Sequence, residues 1–144
     1  MMFLNPEPEE LCALLKQVKT IAMVGLSPKP DRPSYSVASR MQGFGFRIIP
    51  VRPLVDSVLG EKAYATLAEV PEKIDLVDVF RSAEHIDAIV DDCIRLGLKR
   101  LWLQEGIINQ PAAQRALDAG MTVIMDRCIL REYLGHCLDE VEIH

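Results

Sequence analysis

The residues with the clearest chemical potential fall in one short stretch, GLSPKPDRPS, residues 25–34. It follows directly on the apolar run TIAMV. A glycine after a buried strand is how α/β folds turn a loop toward a helix N-terminus and present phosphates to it. The dinucleotide fingerprint would continue with two more glycines, so that a pyrophosphate can lie on bare backbone. Here Gly25 supplies the tight turn, but Leu26 and Ser27 follow, then Pro28, Lys29, Arg32, Pro33 and Ser34. The hydroxyls of Ser27 and Ser34 can donate to phosphate oxygens. Lys29 is a mobile point charge, and Arg32 offers a planar fork for bidentate contact. The prolines stiffen the loop and lower the entropy lost when it closes on a ligand. No GxxxxGK pattern occurs, so a nucleoside triphosphate P-loop is excluded.

A second position bears on the same ligand. NAD enzymes place an acidic residue after the second strand to bond the ribose hydroxyls. This chain has IIPVRP there, with Val51, Arg52 and Pro53. An arginine suits a phosphorylated ribose, whether the 2′-phosphate of NADP or the 3′-phosphate of coenzyme A. The plainer reading is a surface arginine. Between residues 29 and 52, five basic side chains face one acid, Asp31, on a chain of net charge −5. The bulk charge speaks against nucleic acid, and the local patch suggests a small anionic ligand. Arg40 and Arg47 read as solvated members of that patch.

The elements that position these residues alternate. Asn5 is a candidate N-cap with Pro6 opening a first helix, on which Leu11, Leu14, Leu15 and Val18 form an apolar stripe. TIAMVG, FRIIPV, IDLVDVF, LKRLWL and MTVIM read as five strands. The intervening helices run from Ser34 to Gln42, from a Ser82 cap to Gly97, and from Asn109 to Gly120. In the second of these, Ile86, Ile89, Val90, Cys93 and Ile94 share one face. A final helix is expected over about 129–138, and a short one near Leu67. Strands alternating with helices predict an α/β fold, a single Rossmann-like three-layer sandwich. The expected sheet is five-stranded and mainly parallel, of order 3-2-1-4-5, with helices on both faces. Ligands bind such sheets at the carboxyl ends of the strands, where the order reverses, and GLSPKPDRPS leaves such an end. The 144 residues are read as one domain, with residues 1–19 contributing a helix that packs on it.

No apolar run is long enough to span a bilayer, and the acidic start MMFLNPEPEE lacks the features of a signal peptide. The expectation is a cytoplasmic protein. The four cysteines lie far apart without a CxxC pair, which predicts neither a disulfide framework nor a zinc site. No metal ligand set is assigned.

Several ordered segments together resemble the small, single-domain CoA-binding proteins. These are similar to the CoA-binding domain of the succinyl-CoA synthetase α subunit and of ADP-forming acyl-CoA synthetases. The resemblance covers about residues 20–130. It rests on the loop around Gly25 and Ser27, RPSYSVA (Arg32 to Ala38), IPVRP (Ile49 to Pro53), VDVFR (Val77 to Arg81), WLQEGI (Trp102 to Ile107) and MDRC (Met125 to Cys128). It implies that the loop from Gly25 to Ser34 cradles CoA phosphates and that Val51, Arg52 and Pro53 lie by the adenosine. It further implies that Phe80 and Arg81 flank the ligand, and that Gln104, Glu105, Gly106 and Ile107 approach the pantetheine arm. The chain departs from the family pattern at Arg52, where Asn or Ser is common, and at Glu105, where a neutral residue is expected. The synthetases' phosphoryl relay through a histidine has no counterpart in His85, His136 or His144.

Other residues have plain structural readings. Cys128 is expected as a buried structural cysteine rather than a reactive thiol, and Asp126 as a helix cap rather than a base. Asp75 and Asp78 bracket the third strand, where a structural hydrogen bond competes with acid–base chemistry for Asp78. Trp102 is expected in the core. No catalytic constellation is readable. The leading reading is a module that binds CoA or an acyl-CoA without catalysis of its own, with the protein partner unknown. Its rivals are an NADP-dependent oxidoreductase and an interaction subunit with a vestigial nucleotide site.

Overall fold

The computed structural model describes residues 3–138. Helix α1 (Pro8–Lys16) precedes strand β1 (Thr20–Val24), and helix α2 (Pro33–Gly43) leads into β2 (Arg47–Val51). Two short strands, β3 (Ser57–Val58) and β4 (Glu61–Lys62), form a small antiparallel hairpin. Then follow β5 (Leu76–Val79), α3 (Ile86–Leu96), β6 (Arg100–Leu103), α4 (Gln110–Asp118), β7 (Thr122–Ile124) and α5 (Ile129–Glu132). A wider π-type turn over Tyr133–Cys137 continues α5.

Strands β1, β2, β5, β6 and β7 form one parallel sheet between two apolar layers. Alternation along each strand feeds both. Ala22, Val24, Val77, Val79, Leu101 and Leu103 face the layer that holds residues of α3 and α4. Ile21, Met23, Leu76 and Trp102 face α1, α2 and α5. The α/β sandwich with a parallel five-stranded sheet is therefore as expected.

The strand order is not. It is β2-β1-β5-β6-β7, which is 2-1-3-4-5 in chain order rather than 3-2-1-4-5. The reason lies in Pro50. Its carbonyl accepts from the Tyr64 N–H on the outer side of β2 at 3.0 Å. Its nitrogen, which carries no hydrogen, faces the same side and has nothing to donate to a further strand. So β2 is an edge, and β5, buried at all four positions, inserts beside β1.

The first helix also begins later than expected. Glu7 precedes Pro8, and a residue before proline is pushed out of the helical region; Glu7 is extended at φ −70°, ψ 157°. Asn5 is no cap. Its side-chain amide donates to the Met125 carbonyl (2.8 Å) and accepts the Met125 N–H (2.7 Å). Ile94 departs from the expected inward face and is exposed. Asp126 does not cap α5, whose N-cap residue is Cys128.

Contrary to the expectation for scattered cysteines, Cys12 on α1 is bonded to Cys137, 125 residues away, with Cα atoms 5.1 Å apart. Sequence spacing is blind to this pairing, because α1 and the C-terminal turn meet only by covering the same face of the sheet. Cys93 is buried, and desolvation pushes its thiol up to about 12.

Candidate functional site

The site begins where the chain leaves β1. Gly25 has φ +86°, and a Cβ there would stand 2.9 Å from both the Phe80 carbonyl oxygen and Arg81 Cδ. Glycine is favoured on both counts, since the left-handed conformation strains a side chain and the close approach to the Phe80 carbonyl leaves no room for a Cβ. The turn after β1 thus presses directly on the end of β5, which is where the strand order reverses.

The loop is built by its own hydroxyls. Ser34 Oγ accepts the Ser27 N–H at 3.0 Å, and Ser27 Oγ accepts the Lys29 N–H at 3.1 Å. Both serines are buried, and each hydroxyl keeps its proton as a donor. Pro33 opens α2 at its first turn, as its fixed φ favours. Arg52 at the end of β2 directs Nη1 to the Gly25 carbonyl at 3.4 Å. These residues enclose a cavity of about 430 Å³, lined by Gly25, Ser27, Pro28, Lys29, Arg32, Pro33, Ser34, Arg52, Val55 and Phe80.

A second cavity, of about 590 Å³, shares Pro33 and Phe80 with the first. Its walls come from α2 (Ser36, Val37), the segments after β5 (Arg81, Ser82) and β6 (Gln104, Glu105, Ile107), and the C-terminal segment (Cys128, Leu130, Arg131, Leu134). Gln104 is buried and accepts the Ile129 N–H at 3.1 Å, which ties α5 to the end of β6. Glu105, unexpected as a charge, pairs with Arg131 across the mouth, both side chains being more than half exposed. Arg81 Nη2 lies 2.9 Å from His85 Nε2.

Four of the expected site residues line neither cavity. Leu26 is fully buried in the core, and Val51 is buried beneath the strand end. Pro53 and Gly106 are exposed. Gly106 is held by a different contact, its N–H donating to Asp126 Oδ1 at 2.7 Å.

A family model described as CoA binding domain matches residues 19–133. The chain belongs to the CoA binding domain family. The Bacillus subtilis protein YneT is 42% identical over 125 residues, covering 87% of this chain and 93% of its own length. ADP-forming acetate–CoA ligase II of Archaeoglobus fulgidus is 25% identical over 83 residues, 56% of this chain and 12% of the ligase. Among solved structures, a protein of Pyrococcus horikoshii aligns at TM-score 0.87 and 32% identity over 94% of this chain and 99% of its own. One from Thermus thermophilus aligns at TM-score 0.84 and 34% identity over 90% and 98%.

In this CoA binding domain, sequence reasoning missed the C-terminal wall. Leu130 and Leu134 read as ordinary apolar helix positions, and nothing local marks them as facing a cavity. Cys128 was expected to be buried, but it is partly exposed and lines the larger cavity. Asp78 is fully buried on the face of Met23 and Trp102, and neither carboxyl oxygen has a hydrogen-bond partner among the described residues. Burial pushes its pKa well above the ordinary carboxylate range, against a smaller opposing pull from the Val79 N–H. Asp75 differs. Partial burial opposes its ionisation, yet N–H bonds from Lys19 and Thr20, both 3.0 Å, hold its carboxyl below the usual range. Trp102 is in the core as expected, its Nε1–H donating to the Arg127 carbonyl at 2.8 Å.

Proposed function

We propose that this chain binds coenzyme A, free or as an acyl thioester, without catalysing a reaction of its own. The phosphates lie in the loop cavity and the pantetheine arm in the larger one. The observation that carries this reading is the pair of neighbouring cavities that share Pro33 and Phe80 as lining residues. One offers Lys29, Arg32, Arg52 and two serine hydroxyls at a strand-order reversal. The other offers Val37, Ile107, Leu130 and Leu134. CoA is divided in the same way, with a phosphorylated nucleotide at one end and a slender amide arm at the other. A dinucleotide would bring a second ribose and phosphate into the apolar half. Family membership and the acetate–CoA ligase relatives support the same ligand. The chain matches only 12% of the ligase's length, so the ligase reaction itself is not carried over.

Among the described residues no helix is long and apolar enough to cross a membrane. We place the protein in the cytoplasm with a small-molecule ligand, and with neither nucleic acid nor membrane as a partner. The test is a melting-temperature panel of CoA, NADP and NAD. A ligand specific to the native state stabilises by about 2.7 kcal/mol at a hundredfold excess over Kd. CoA is expected to give the largest shift. A larger shift with NADP moves the reading to an oxidoreductase, and no shift with any of the three leaves an interaction subunit with a vestigial site.

A further inference from the structure

One continuous segment forms the outer wall of the larger cavity and also carries the disulfide. Cys128, Leu130, Arg131 and Leu134 line the cavity, and the segment ends at Cys137, bonded to Cys12 of α1. Between them the Tyr133 ring packs at a tilt against Phe44 and edge-on against Phe46, with centroids 4.9 and 5.5 Å away. The wall is therefore held at its start by the Gln104–Ile129 hydrogen bond and at its end by a covalent bond. A separate cavity of about 540 Å³ reaches that bond. Both half-cystines line it, together with Lys16 and Lys19.

We propose that the Cys12–Cys137 disulfide is a redox control on the larger cavity. Oxidised, it clamps residues 129–137 to α1 and keeps the wall formed. Reduced, it releases the wall and weakens binding of the arm that lies there. The identity of that arm rests on the CoA reading; the clamp does not. Reduction takes two electrons, one from each of two external thiol groups. The first external thiolate attacks one sulfur and expels the other as a thiolate, and a second external thiolate then resolves the mixed disulfide. Cys12 and Cys137 each end with a proton, and the donor leaves as a disulfide. The cavity gives the attacking thiolate a path, and the two lysines favour its approach. In a reducing compartment such bonds are transient or redox-sensing rather than permanent, which fits a control element better than a staple.

The test uses the whole chain, air-oxidised or reduced with a phosphine, and two probes. Desulfo-CoA fills both cavities but has no thiol to exchange, whereas adenosine 3′,5′-bisphosphate reaches only the loop cavity. Desulfo-CoA is expected to bind the oxidised form on the order of fivefold more tightly, and the bisphosphate to bind both forms equally. Reciprocally, saturating desulfo-CoA should make the disulfide harder to reduce by the same factor, about 20 mV for a two-electron couple. Hydrogen exchange over residues 129–137 should quicken on reduction. Equal desulfo-CoA affinity in the two forms would overturn the proposal. So would unchanged exchange, or four rather than two titratable thiols in the denatured oxidised chain. If neither probe binds either form, the CoA reading fails while hydrogen exchange still decides the clamp.

Discussion

Arg52 follows β2 and Asp78 lies within β5, on opposite sides of β1, and their surroundings give their charges opposite fates. Arg52 is half-buried beside the loop that follows β1, its backbone N–H donating to the Tyr64 carbonyl at 2.8 Å and its Nη1 reaching the Gly25 carbonyl by a long 3.4 Å contact. Under the CoA reading it grips the 3′-phosphate. Wild type should then prefer CoA over dephospho-CoA, and Arg52→Ala should lose most of that preference, about 1 kcal/mol for a partly exposed pair. Calorimetric titration at two salt concentrations checks this, since added salt should shrink the difference. Equal weakening of both ligands would place the arginine elsewhere on the nucleotide. The carboxyl oxygens of Asp78, by contrast, are buried without a well-formed hydrogen bond among the described residues. Its folded-state pKa is raised by burial, so above the ordinary aspartate value of ~3.9 the folded chain holds a proton that the unfolded chain releases. Stability then falls as pH rises through that window, by at most about 1.4 kcal/mol per pH unit from this group. Asp78→Asn removes the titration. Urea denaturation should find the variant more stable than wild type at pH 7, with the advantage shrinking as pH falls toward 4.

At the scale of elements, α4 shows how a cap can serve two structures. Asn109 Oδ1 accepts the Ala112 N–H at 3.1 Å, as expected of an N-cap, while its Nδ2 donates to the Ala83 carbonyl at 3.1 Å. The second bond ties the start of α4 to the turn that leads into α3. Asn109→Ala loses both and should lower stability by about 1–2 kcal/mol. The expected readout is a lower urea midpoint with an unchanged denaturant slope. Asn109→Asp keeps the acceptor but not the donor and should lie between the two. Edge strand β2 is set in the same local way, its outer side closed by the Tyr64 bridge rather than by another strand.

Over the whole molecule, the Cys12–Cys137 bond closes a loop of almost the entire described chain. Cross-linking so distant a pair restricts the unfolded ensemble strongly, a gain typically of about 2–4 kcal/mol. Cys12→Ser should lose that amount in urea denaturation without reductant. With a phosphine present, variant and wild type should coincide. A variant as stable as oxidised wild type would show that the bond adds nothing to the fold. Helix α5 and its continuing turn lie over the carboxyl ends of β5 and β6, where they complete the larger cavity.

Local physical chemistry was enough to read the five main strands and most helices from sequence, and to nominate a loop for the proposed site. Apolar runs mark the five strands of the parallel sheet, Gly97 and Asn109 mark helix ends, and Gly25, Ser27, Lys29, Arg32 and Ser34, singled out by their types and order, line one cavity. Each signal arises from residues close in the chain. Pro50 bears on the edge position of β2, which the expected order 3-2-1-4-5 did not give it, but its meaning depends on which side of β2 its nitrogen faces, a property of the sheet. The insertion of β5 beside β1, the Cys12–Cys137 bond, the burial of Asp78 and the cavity wall of Leu130 and Leu134 were decided by tertiary structure alone. These contacts join segments far apart in sequence, and side chains such as leucine and cysteine look the same locally whether they meet core, cavity or each other.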